Sequence, residues 1–147
     1  MNNEMTLLIK AISANESFAR SCVVAFCASL NPSLDEINDI KTAVSEAVTN
    51  SVVHAYPSGK GEIKIRVKIV GNTVRIAITD FGIGIADISQ AKQPFYTSKP
   101  EQERSGMGFT VMESFMDSLE VLNNTTRGVT VHLTKTIRNV KSQVVGG

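Results

Sequence analysis

The sequence predicts an α/β (α+β) domain: a two-layer sandwich of a mixed, mostly antiparallel sheet with helices on one face. Three observations carry this. Ile63, Ile65, Val67 and Ile69, then Val74, Ile76 and Ile78, alternate with polar neighbours around Gly71-Asn72. That is the pattern of an antiparallel hairpin covered on one side only. From Leu34 onward, Ile37, Ile40, Val44, Ala47, Val48, Ser51 and Ala55 recur at helical spacing, so one helix has a stripe to bury. The length of 147 residues suits one domain, 1–147, with a real core.

The remaining elements follow in order. Thr6–Ile12 alternates loosely and reads as an edge strand. Ser13 and Glu16 give an S-x-x-E start for a helix to about Ser29, with Phe18, Cys22, Ala25 and Phe26 as its core stripe. Arg20 then points nearly the opposite way. The run Cys22–Ala28 has no polar residue, so this helix is deeply buried or covered by a partner. Asn31-Pro32 breaks it, and Ser33 with Glu36 caps the next helix. After the second hairpin strand, residues 87–105 show no usable period and read as a lid or binding loop. Gly106-Met107-Gly108 opens a helix to about Asp117, with Phe109, Met112 and Phe115 or Met116 inward. A final hairpin takes Leu119–Leu122 and Val129, Val131 and Leu133. The polar, basic tail 137–147 is expected to fray.

Composition narrows the function. Hydrophobic content of 42% and charged content of 20% are ordinary for a globular protein. A formal net charge of +1 gives no global field to attract nucleic acid, so direct nucleic-acid binding is not expected. No apolar run approaches a membrane span, and Met1–Glu4 lacks the basic start of a signal peptide. The expected location is the cytoplasm. Cys22 and Cys27 have neither redox nor zinc spacing and read as buried thiols. His54 and His132 lack the companions of a metal site.

Chemistry concentrates at a few places. Glu46 and Asn50, four apart on a helix, sit about 5–6 Å apart at Cβ. They lie roughly 160° and 120° from the centre of the apolar stripe. Such a pair suits a proton acceptor and a holder of metal-bound phosphate, or simply a solvated helix face. Asp80, at a strand end in D-x-G-x-G, can accept from an exocyclic amino group such as that of adenine. Gly82 and Gly84 let the backbone approach a flat ligand. Gly106-Met107-Gly108 at a helix start can cradle an anion. The D-F-G of residues 80–82 lacks the other protein-kinase boxes, and no P-loop or complete dinucleotide fingerprint occurs.

E-x-x-x-N on a helix, D-x-G-x-G after a strand, a long lid, G-x-G opening a helix and Thr130 on a closing strand together resemble the GHKL ATPase superfamily. That group includes DNA gyrase, Hsp90, MutL and the sensor histidine kinases, and the resemblance covers nearly the whole chain. E-A-V-T-N-S-V-V-H-A-Y and P-F-Y-T-S-K-P-E-Q-E-R-S-G-M-G-F are similar to the bacterial anti-sigma serine kinases, those of sporulation foremost.

The resemblance implies a Bergerat-type ATP-binding fold, ATP or ADP as ligand, and Mg²⁺ held through Asn50. It implies that Glu46 takes or orients the proton of an attacking hydroxyl, and that Asp80 reads adenine with Thr130 nearby. Gly82, Gly84, Ser105, Gly106, Met107, Gly108 and Phe109 would line the nucleotide. Lys99 and Arg104 would reach the phosphates or anchor the lid, and His54 fits the family wording or simply ends its helix. The implied function is an anti-sigma factor that holds a sporulation sigma factor. As an ATP-dependent serine kinase it would phosphorylate an anti-anti-sigma partner. A homodimer is implied, and Arg20, facing away from its helix's core stripe in the region over which the family binds partners, is expected to contact the protein partners. The alternative is a nucleotide-gated binding module without significant phosphotransfer.

Overall fold

The alternating strands assemble into one sheet. In the computed structural model, which describes residues 2–93 and 108–139, β1 (Asn2–Lys10), β2 (Glu62–Val70), β3 (Thr73–Asp80), β4 (Ser118–Asn123) and β5 (Val129–Thr136) line up as β1-β2-β3-β5-β4. Every neighbouring pair is antiparallel, so the expected mixed sheet is not found among the described residues. The reason lies in the crossover. β3 and β4 run in the same direction, but β5 inserts between them and pairs antiparallel with both.

β1 is an edge strand, as expected, but it begins earlier and ends sooner than Thr6–Ile12. Its register runs from Asn2↔Val70 to Lys10↔Glu62. The polar start Asn2-Asn3-Glu4 shows no apolar alternation, yet backbone pairing to β2 needs none. Ile12 lies beyond the strand and is 49% exposed.

Helices α1 (Ala14–Cys27), α2 (Leu34–Asn50) and α4 (Gly108–Phe115) cover one face of the sheet. That face supplies Ile63, Ile65, Val67, Ile69, Val74, Ile76, Ile78 and Leu133, all buried. α2 meets it with Ile40, Ala43, Val44, Ala47 and Val48. Ser33 caps α2 as the sequence indicates: its hydroxyl accepts from Glu36 N at 3.1 Å and its N–H donates to Glu36 Oε1 at 2.9 Å.

α1 is rotated by about one position from expectation. Ala19, Val23 and Cys27 are buried, whereas Phe18 is 52% exposed, Ala25 is exposed, and Cys22 and Phe26 are half-buried. An all-apolar run does not specify a face, and the small Ala19 lets α1 approach its neighbour closely. Arg20 therefore lies at the seam with α2 rather than opposite the core. Its Nη1 is 3.3 Å from Glu16 Oε1 and 3.4 Å from Ser45 Oγ. Burial pushes the Cys27 thiol up to about 11, which leaves it inert.

α4 ends at Phe115, earlier than expected, and Met116 rather than Phe115 turns inward. Lys135 points into the core from β5, where Asp39 Oδ2 at 3.2 Å and the Phe115 carbonyl at 2.8 Å satisfy its ammonium. A short helix, α3 (Ile88–Ala91), capped by Asp87, occupies the start of the expected lid. The first tail residues are held, not frayed. Ile137 is 5% exposed and its N–H donates to Asn72 O at 2.8 Å. Arg138 N donates to Glu36 Oε2 at 2.7 Å, and Asn139 Nδ2 to Asn31 O at 2.6 Å.

Candidate functional site

α2 does not stop at Asn50. It continues as a π-helical turn, Ser51–Ala55, a local widening that recurs at functional sites. The Ala55 carbonyl accepts from Ile83 N at 3.0 Å. Gly82 passes so close that a Cβ there would lie 2.0 Å from the Ala55 oxygen. Only glycine allows this approach.

The helix end and the loop after β3 frame a cavity of about 770 Å³. Asp80, 5% exposed, stands in its wall. Its Oδ1 accepts from Gly82 N at 3.0 Å and Val129 N at 3.2 Å. Its Oδ2 accepts from Ser51 Oγ at 3.4 Å. Burial raises the carboxyl above its usual value of 3.8, while the Gly82 and Val129 N–H groups and the Ser51 hydroxyl oppose that rise. Oδ1 is saturated, and Oδ2 keeps capacity for a donor entering from the cavity.

Asn50, Gly82, Gly84, Gly108 and Phe109 line the same cavity, as does His54. Glu46 stands beside it. A Cβ placed on Gly108 would be 3.2 Å from Glu46 Oε2 and 3.2 Å from both Asn50 side-chain polar atoms. The carboxylate and carboxamide of α2 therefore converge on the first described residue of α4. Ser105, Gly106, Met107, Lys99 and Arg104 lie outside the described residues.

Thr130 is not among the residues that line the cavity. In β5 the inward residues are Val129, Val131 and Leu133, so strand alternation turns Thr130 to the outer face. Its hydroxyl meets Thr79 Oγ1 at 2.9 Å and donates to Asn124 Oδ1 at 2.6 Å. Val129 occupies the cavity side instead.

The end of β4 and the β4–β5 turn also line the cavity, though the sequence marks N-N-T-T-R-G only as a turn. Asn123 bonds both ways with the Ile85 backbone, at 2.9 and 2.8 Å. Asn124 Nδ2 donates to Asp80 O at 3.0 Å, and Arg127 Nε donates to Gly82 O at 3.1 Å. Turn-forming residue types hide such tertiary roles. Ser51 was legible only as part of the helix stripe.

Among the described residues, no group of three or more His, Cys, Asp or Glu could hold a metal ion by itself. One amide oxygen beside one carboxylate fits Mg²⁺, which takes few protein ligands and completes its shell with phosphate and water. No helix among the described residues is long and apolar enough to cross a membrane.

Comparison with known proteins agrees with this geometry. Residues 10–135 match the histidine kinase-like ATPase domain family. The chain is 50% identical over 143 residues to the anti-sigma F factor of Bacillus licheniformis, covering 97% of this chain and 98% of that one. It is 51% identical over 140 residues to the anti-sigma F factors of Bacillus thuringiensis (strain Al Hakam) and Bacillus mycoides (strain KBAB4), covering 95% of this chain and 96% of each relative. With its open antiparallel sheet, its helical layer and a cavity walled by Asp80, the chain belongs to the histidine kinase-like ATPase domain family, alongside the anti-sigma F factors.

Proposed function

We propose that this protein is an anti-sigma factor that binds a sporulation sigma factor and, as an ATP-dependent serine kinase, phosphorylates an anti-anti-sigma protein. The observation that carries the kinase reading is the convergence of Glu46 and Asn50 on Gly108, with Asp80 in the wall of the same cavity. The names of the relatives support the sigma-factor partner.

In this reading the cavity takes ATP or ADP. Asp80 Oδ2 accepts from the exocyclic amine of adenine, which a keto group at the same position could not satisfy. Gly82 and Gly84 let the backbone lie against the base, and Gly108 with Phe109 borders the phosphates. Mg²⁺ would be held by Asn50 and would offset phosphate charge. Glu46 removes the proton from the acceptor serine. The serine oxygen bonds to the γ-phosphorus, the bond to the bridging oxygen breaks, and ADP leaves with that electron pair.

Two surface features support the partner assignments. β1 ends the sheet at one edge, and Phe18 on α1 is 52% exposed; an edge strand and an exposed aromatic side chain suit a homodimer. Arg20, partly exposed on α1, is assigned to partner contact; Arg20→Glu is expected to weaken binding to the sigma factor and to the phosphoacceptor. Sedimentation tests the dimer.

Incubation with γ-labelled ATP and the candidate acceptor tests the kinase. Label on a serine is expected. ATP binding with no labelled serine would leave a nucleotide-gated binding module.

A further inference from the structure

Thr130 fails to reach the cavity, yet it is bonded to a residue that does. The Thr130 hydroxyl spends its proton on Asn124 Oδ1 at 2.6 Å, so its 2.9 Å contact with Thr79 Oγ1 must be one in which Thr79 donates. Asn124 Nδ2 donates one proton to Asp80 O at 3.0 Å and the other to Arg127 O at 2.9 Å. Both receiving groups are carbonyl oxygens, which can only accept, so the amide has one workable orientation. The Asn124 backbone N–H is also held, by Gly128 O at 2.8 Å. The result is a directed chain, Thr79 to Thr130 to Asn124 to Asp80, running from the outer sheet face to the cavity wall.

The chain has little freedom where it ends. Gly128 has φ +90, and a Cβ on it would sit 2.1 Å from Asp80 O. The turn is thus packed directly on the peptide that carries the Asp80 carboxylate, and Val129, the next residue, donates to that carboxylate. Moving the turn moves both the backbone and a hydrogen-bond donor of Asp80.

We propose that Asn124, with Thr130 behind it, is a positioning residue for base recognition: it fixes the aim of Asp80 at the amino group of the purine. The proposal rests on the nucleotide reading above. It assigns Asn124 and Thr130 no contact with the phosphates and no part in proton transfer. Their loss should therefore reduce the advantage conferred by the exocyclic amine, not binding in general.

The test compares the affinities of ATP and inosine triphosphate, which lacks that amine, by equilibrium titration. The parent protein is expected to prefer ATP. Asn124→Ala should cut the ATP-to-inosine-triphosphate affinity ratio about five- to tenfold, with inosine triphosphate binding little changed. Thr130→Val, which removes only the hydroxyl, should lower the same ratio about twofold to threefold, and Thr130→Ser should restore it. Thr130→Val also covers the case in which Asn124→Ala does not fold. A parent that prefers ATP while the folded variants keep its ratio, or lose both affinities equally, overturns the positioning role alone. A parent that binds neither nucleotide overturns the nucleotide reading and this inference together.

Discussion

Ser51 Oγ donates to Asp80 Oδ2 across 3.4 Å, joining the π-turn at the end of α2 to the end of β3. The helix that presents Glu46 and Asn50 is thereby tied to the buried carboxylate in the cavity wall. Replacing Asp80 by Asn keeps an acceptor for Gly82 and Val129 but points an N–H₂ at the incoming amine. ATP affinity is expected to fall about 100-fold with little change in melting temperature, as titration and thermal unfolding will show.

Glu46 and Asn50 separate by role. Glu46→Gln should abolish serine labelling while leaving ATP affinity within about twofold, since the amide cannot take a proton. Asn50→Ala should instead remove the Mg²⁺-dependent part of ATP binding. Titrations with and without Mg²⁺ distinguish them, and parallel loss of affinity in Glu46→Gln would remove Glu46 from the base role.

Acid should uncouple binding from folding. Burial first, against the opposing hydrogen bonds, holds the folded Asp80 carboxyl above 3.8. As pH falls through that raised value, Asp80 takes a proton, loses its acceptor form and stops pairing with the amine. Protonation there favours the folded state, because the buried charge is relieved. Two other acids act in the opposite direction. The Glu36 carboxyl is held below 4.5: burial would raise it, but the Arg138 and Ser33 N–H groups outweigh that. The Asp117 carboxyl is held below 3.8 chiefly by the Thr136 N–H, against some burial, with Arg138 assisting. Their stabilisation is complete above those usual values and is lost only as pH drops through the lowered ones. Loss of ATP binding above the pH of unfolding is expected, by titration alongside circular dichroism. Simultaneous loss would contradict the assignment of Asp80.

The tail contributes to stability. Ile137 is 5% exposed against the core, and Ile137→Ala should cost about 2–4 kcal/mol in denaturant unfolding. A cost below about 0.5 kcal/mol would place Ile137 outside the cooperative core.

Much of this was legible in the sequence, for physical reasons. Strand alternation in β2 and β3 predicts the sheet's inner face because side chains alternate with period two. The Ser33–Glu36 box predicts the start of α2 because its bonds are local. Asn50, Asp80, Gly82, Gly84, Gly108 and Phe109 were placed near one another by motif order, and they line one cavity. What escaped depends on tertiary contact. The all-apolar α1 gives no unique stripe, so its rotation is set by packing on α2. Thr130 follows from the family resemblance, whereas strand parity decides which neighbour faces the cavity, and that is Val129. Asn123, Asn124 and Arg127 look like turn residues until the loop they hold is folded against them.

One nucleoside triphosphate is expected to sit in the cavity walled by Asp80 and bordered by Asn50 and Gly108. Calorimetric titration of the protein with Mg·ATP tests it most directly. One site per chain is expected, with a rise in melting temperature that Asp80→Asn removes. No heat and no thermal shift on adding Mg·ATP would contradict it.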